Sequence, residues 1–95
     1  MKYVYVVYRY CVNFTHGTPV PVLGCHSNYK SAKKHFDIVI KDRKEHGCEI
    51  FWTNRWNNID NRERYEIWES YIKHPDEQRE TLKLDRWPLR KRREK

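Results

Sequence analysis

The sequence predicts an α+β domain over residues 1–85: a three-stranded antiparallel sheet in the order 2-1-3, packed with two helices in the succession ββαβα. A flexible basic tail follows over 86–95. Three observations carry this. Period-two patterning runs from Tyr3 to Phe14, helical spacing runs from Tyr29 to Arg43 and stops at Gly47, and a dense run of strand formers, Cys48 to Thr53, comes directly after.

The first strand has Val4, Val6, Tyr8, Tyr10, Val12 and Phe14 on its even face, with Tyr3, Tyr5, Val7, Arg9, Cys11 and Asn13 on the odd one. Thr15-His16-Gly17-Thr18 supplies turn chemistry, and Val20, Val22 and Leu23 continue as the second strand of a hairpin. Pro19 and Pro21 both lack an N–H on the same lateral side, which makes that second strand an edge.

A helix over about residues 28 to 46 follows, capped by Ser27 or Asn28, with Tyr29, Ala32, Phe36, Val39, Ile40 and Arg43 on one stripe and Gly47 ending it. Its opposite face carries Lys30, Lys33, Lys34, Lys41 and Lys44, and must be solvated or engaged by a partner. Cys48-Glu49-Ile50-Phe51-Trp52-Thr53 reads as the third strand, set beside the first. Asn54 to Asn61 reads as a polar turn, and Asp60 with Glu63 as a capping-box variant opening a second helix with Tyr65, Trp68, Tyr71 and Ile72 inward. His74-Pro75 ends it. A short third helical stretch over Asp76 to Leu84 is weakly amphipathic, and Trp87-Pro88-Leu89 is placed to dock back on the body.

Arg86 to Lys95 carries six Lys/Arg against one acid, so this end holds +5 of the chain's net +7 and the body only +2. Such a handle suits a polyanion or an acidic protein surface and contains no group that does chemistry. Ninety-five residues allow one core but no deep enclosed active site. No apolar run reaches membrane-spanning length, and Met1-Lys2-Tyr3-Val4 leads into a strand without a signal-peptide core, so the expected location is the cytoplasm. Cys11, Cys25 and Cys48 are an odd set at wide spacings, which fits reduced thiols.

The best metal candidate gathers Cys25 and His26 with Cys11, Cys48 and His46, but it lacks a C-x-x-C chelate, and the expected reading is no metal and no cofactor. Cys/His nucleophilic chemistry at Cys25 or Cys48 is disfavoured because nothing in the sequence marks a third, orienting group. Glu63, Glu66 and Glu69, interleaved with Arg62 and Arg64, read as helix-surface ion pairs. Three scattered glycines exclude a phosphate-cradling loop.

The stronger signal is cations beside aromatics: Tyr3, Tyr5 and Arg9; then Trp52, Arg55 and Trp56; then Arg86 and Trp87 with Arg90, Lys91, Arg92 and Arg93 of the tail. Stacking platforms beside positive charge are what single-stranded nucleic-acid grooves use, whereas the tail alone adds salt-sensitive phosphate attraction.

Val22-Leu23-Gly24-Cys25-His26-Ser27, followed by Lys30-Ser31-Ala32-Lys33-Lys34-His35-Phe36, resembles small phage and mobile-element proteins that open with a Tyr/Val-rich hairpin packed on one helix. The resemblance covers about the first half of the chain and implies the fold. Some such proteins inhibit host defence, anti-CRISPR proteins among them. Tyr3-Val4-Tyr5 and Val22-Leu23-Gly24 also resemble the two motifs of GIY-YIG nucleases, with Val22 where that family has its catalytic second tyrosine.

The expected function is therefore binding without catalysis: a phage-type, anti-CRISPR-like inhibitor docking on a host protein or nucleoprotein complex in the host cytoplasm. Direct binding of DNA or RNA is the alternative, and a degenerate GIY-YIG-like nuclease a second. The contact set is Lys30, Lys33, Lys34, Lys41, Trp52, Arg55, Trp56, Trp87, Arg90, Lys91, Arg92 and Arg93. No membrane partner is expected, and a homodimer covering the sheet stays open.

Overall fold

Five strands and one helix follow the order β1 Tyr3–Cys11, β2 Val22–His26, α1 Tyr29–Glu45, β3 Glu49–Asp60, β4 Glu63–Lys73 and β5 Arg79–Pro88 in the computed structural model, which describes residues 3–11, 22–60 and 62–88. All five strands form one antiparallel sheet, in the order β2-β1-β5-β4-β3. The class remains α+β, but the expected three-stranded sheet with two helices is wrong. The turn at Thr15 to Thr18 and the two prolines lie outside the described residues, as does the segment from Leu89 to Lys95.

The helix forms where its local signals place it. Asn28 caps it by accepting from the Ser31 amide at 2.8 Å. It ends in a Schellman arrangement in which the Cys48 amide donates to the Arg43 carbonyl at 2.9 Å and the Gly47 amide to that of Lys44 at 3.1 Å. Gly47 sits at φ 86, a conformation glycine adopts without a Cβ clash. Ala32, Phe36 and Val39 are the buried stripe, and with Val7, Ile72, Leu82 and Leu84 they make the core. The crossover carries the chain from one edge of the sheet, β2, to the other, β3.

Everything after Thr53 departs from expectation. The supposed polar turn Asn54 to Asn61 is, as far as Asp60, the continuation of β3, and Asn54 to Ile59 are exposed on this edge strand, so the stretch needs no apolar alternation. The Asp60/Glu63 pair does not cap a helix; the two residues face each other as the closing pair of a β-hairpin, with Arg62 in the left-handed region at φ 63. The residues read as a second helix, Tyr65, Trp68, Tyr71 and Ile72, lie on β4. Trp68 and Ile72 alternate with Ser70 toward α1, and five of the eleven residues of β4 are β-branched or aromatic strand formers. The third helical stretch is a turn and then β5. The His74 amide donates to the Gln78 carbonyl at 2.8 Å, and Leu82 and Leu84 alternate inward.

β5, not β3, is the neighbour of β1, so the end of the chain fills the place assigned to the third strand. Arg86 and Trp87, counted with the tail from sequence, are strand residues of β5.

β2 is held to α1 by a pair of imidazoles: His26 Nε2 and His35 Nδ1 share a hydrogen bond at 2.9 Å. Gly24 makes room for it, since a Cβ there would come within 2.7 Å of the His35 ring. Burial, and then the neighbouring His26, lower the His35 pKa from its ordinary 6.5. The folded state therefore resists a proton that the unfolded chain accepts, so stability is complete above about pH 6.5 and is lost as pH falls through the depressed folded value. Urea midpoints measured at falling pH should decline across this window, and the decline should flatten in His35→Asn.

Candidate interaction surface

α1 covers one face of the sheet, which Val7 of β1, Leu82 and Leu84 of β5 and Ile72 of β4 mark as the core side. Alternation then sends Val4, Val6 and Tyr8 of β1, Lys83 and Trp87 of β5, Tyr71 of β4, and Trp52 and Trp56 of β3 to the other face. Among the described residues no helix or strand covers that face, though Val6 and Ile67 on it are buried.

The odd residues of β1, read from sequence as part of a stacking platform, lie on the covered side. Tyr5 meets Tyr29 of α1 edge-on, ring centroids 6.1 Å apart, and Arg9 donates to Glu80 at 3.3 Å. The aromatic surface is instead built from the even face. Trp52 stacks on Tyr71 at 5.8 Å and an interplanar angle of 19°, Phe51 leans on the same ring at 5.5 Å, and Arg79 lies 5.3 Å over Phe51 while donating to the Tyr71 hydroxyl at 3.2 Å. Across the sheet Tyr8 packs against Trp87 at 5.4 Å. Tyr8, Phe51, Tyr71 and Arg79 were not singled out from sequence; the alternation of β1 and the β-former run at Cys48 to Thr53 were the available signals.

β3 itself is the more unusual feature. Every residue from Phe51 to Ile59 is exposed, and four of them are large and apolar: Phe51 at 41%, Trp52 and Trp56 at 40%, Ile59 at 64%. A slip in the register between Ile50 and Trp52 places a bulge at Phe51. From Ile67 back to Glu63, β4 pairs among the described residues with β3 alone, and β5 reaches it there through the Arg86 side chain, which contacts Glu63 and Tyr65.

The remaining residues of the expected contact set divide. Lys30, Lys34 and Lys41 are exposed on α1. Lys33 is engaged within the fold, donating to Asp37 at 2.7 Å and lying 4.1 Å over the Trp68 ring. Arg55 points to the α1 side, 3.5 Å from Glu66 and 5.9 Å from the Trp68 ring centre. Trp87 is 39% exposed. Arg90, Lys91, Arg92 and Arg93 lie outside the described residues. Arg86 is buried, 3.1 Å from Glu63 and stacked 3.6 Å over Tyr3 and 4.2 Å over Tyr65.

The acids of the supposed second helix serve the sheet instead. Glu66 accepts from the Tyr29 hydroxyl, which in turn accepts from Trp68 Nε1 at 2.7 Å. Burial, then the bond to Glu66, push the Tyr29 pKa up to about 12, while that same bond lowers Glu66, so the proton stays on the phenol and the charge on the carboxylate. Among the described residues no three His, Cys, Asp or Glu side chains are placed to hold a metal ion: His46 turns back to the Asp42 carbonyl at 2.8 Å, His26 is taken by His35, and Cys48 lies 3.4 Å from His74. No helix among the described residues is long and apolar enough to cross a membrane.

The chain matches no protein-family model, no curated protein and no solved structure.

Proposed function

We propose that this chain is a non-enzymatic docking protein whose contact surface is the outer border of β3 together with Trp52 and Trp56. The observation that carries the reading is the unbroken exposure of Phe51 to Ile59. Edge strands in stable monomers are kept short or interrupted by proline and charge, because their unpaired N–H and C=O groups accept another strand. β3 is 12 residues long, holds no proline, and has one basic residue, Arg55, in its exposed stretch. An extended segment of a partner protein can therefore add to the sheet, with Trp52 and Trp56 supplying the aromatic anchors that dominate interface energies.

The partner class follows the resemblance of the first half of the chain: a host-defence protein or nucleoprotein assembly, inhibited by occupation. Direct nucleic-acid binding is the competing reading, supported by Arg79 over Phe51 and Tyr71 on the uncovered face.

Capture from host lysate, with and without nuclease, tests this against a Trp52→Ser/Trp56→Ser variant. The expected result is one stoichiometric protein partner retained after nuclease at moderate salt, and bound at least about tenfold more weakly by the variant. Equal capture by the variant, or binding only to bare oligonucleotide with a steep salt dependence, overturns the reading.

A further inference from the structure

Cys48, His74 and Glu80 form a chain of contacts at the end of the sheet away from the β3–β4 turn. Cys48 Sγ lies 3.4 Å from His74 Nδ1, and His74 Nε2 lies 2.7 Å from Glu80 Oε1. The Glu80 side chain is fully buried and also accepts from Arg43 Nε at 2.9 Å, Arg43 Nη2 at 3.2 Å and Arg9 Nη1 at 3.3 Å.

This network fixes the state of the ring. A carboxylate between two guanidiniums is ionised and only accepts, so the proton of a neutral His74 sits on Nε2. Nδ1 then presents its lone pair to Cys48, and the S–H donates to it. A thiol, a base within reach of its proton, and a carboxylate orienting that base are the three parts of an activated nucleophile. The third, orienting group that no sequence pattern marks is Glu80, and the fold supplies it. Beside the imidazole lies an open hollow of about 220 Å³ lined by Gly47, Glu49, Lys73, His74, Pro75 and Glu77, in which Lys73 already pairs with Glu77 at 3.4 Å.

We propose that Cys48 is a nucleophilic thiol, with His74 as its base and Glu80 as the positioning residue, and that it takes up a small disulfide as a mixed disulfide. The thiol proton passes to His74 Nδ1 as Sγ attacks one sulfur of the disulfide. The new S–S bond forms as the old one breaks, and the departing thiolate takes the proton from Nδ1, leaving the protein disulfide and one free small thiol.

The charged groups around the sulfur act in both directions. Burial raises the Cys48 pKa; Arg43 of α1 opposes it, while Glu80 of β5, Asp42 of α1 and Asp76 of the β4–β5 turn add to it. The resting form is thus the thiol, and the imidazole is needed during attack rather than before it. This site is independent of the β3 docking surface.

Reduced full-length protein treated with oxidised glutathione at neutral pH, with adducts at each cysteine followed by peptide mass spectrometry, tests the proposal. Cys48 should react faster than Cys25 although Cys25 is exposed and Cys48 only partly so, and His74→Gln should slow Cys48 about tenfold or more while leaving Cys25 unchanged. In the unaltered protein the pH–rate profile of Cys48 should carry an inflection from the imidazole that the profile of Cys25 lacks. That measurement decides the matter if His74→Gln does not fold. A Cys48 that trails Cys25 at every pH, or keeps its rate in a folded His74→Gln protein, overturns the proposal.

Discussion

Glu80→Ala should cost about 3 to 5 kcal/mol of unfolding free energy, a large share of the stability of an ordinary domain. The substitution removes the single acceptor on which Arg9, Arg43 and His74 converge. Arg43 is mostly buried, its side chain 19% exposed, and among the described residues would keep only Asp42, 3.1 Å from its Nη1, as a charged partner. What is lost is less the attraction itself than the ability to keep these groups desolvated.

The same carboxylate should set the acid limit of the fold. Burial pushes the Glu80 pKa up, but hydrogen bonds from Arg43 and His74 and the charges of Arg43 and Arg9 outweigh burial and hold it below its ordinary 4.5. A depressed carboxylate contributes stability that is present above the unfolded value and lost as pH falls through the folded one. Urea titrations of the wild type should therefore weaken as pH drops below about 4.5, and Glu80→Ala should lose that part of the dependence. Glu77→Ala is the control: its partner Lys73 lies 3.4 Å away on an exposed pair, which is worth less than about 1 kcal/mol. Equal midpoints for the Glu80 and Glu77 variants would show that the convergence on Glu80 is not structural.

Glu80 also shows why half of the fold was hidden in the sequence. The alternation Glu80, Leu82, Leu84, Arg86 is a strand pattern with its ends occupied by charges, and charges at core positions break the period that a reader counts. They are tolerable only because Arg43 and Glu63 are brought to them from distant parts of the chain. β4 failed for another reason. Tyr65, Trp68, Tyr71 and Ile72 fit a helical stripe, and the buried Ser70, bonded to Thr53 at 3.0 Å, interrupts the two-residue alternation toward α1. Past Thr53, β3 failed because a stretch of edge strand that is exposed throughout carries no pattern.

What was legible was local: the Asn28 cap, the stripe of α1, the left-handed Gly47, the pairing of β1 with β2, and the start of β3. The candidate surface divides along the same line. Trp52 and Trp56 declare themselves as aromatics in a polar run, and both are exposed on β3. The neighbours that make a surface of them, Tyr71 from β4 and Arg79 from β5, arrive only through strand pairing. Cys48 and His74 are 26 residues apart and become neighbours because β3 and β4 form a hairpin whose open end brings residue 49 opposite residue 73.

Phe36→Ala should cost about 3 to 5 kcal/mol, and for a reason specific to a sheet with a single helix. A 17-residue helix with five lysines, four of them exposed, is marginal alone in water and persists through the face it buries. That face has three buried residues, Ala32, Phe36 and Val39, of which only Phe36 is large; it is 1% exposed and meets the Trp68 ring with centroids 6.2 Å apart. Truncation leaves a void between α1 and the middle of the sheet that no neighbouring helix can close. The crossover then loses its anchor between the two edge strands, so β2 and β3 should become open to exchange together with α1. Ile38→Ala, two residues on and 55% exposed, should change stability by less than about 0.5 kcal/mol. Urea unfolding of both variants, with amide hydrogen exchange on the Phe36 variant, measures the difference. A Phe36→Ala protein as stable as Ile38→Ala would mean that α1 is not held to the sheet by this contact.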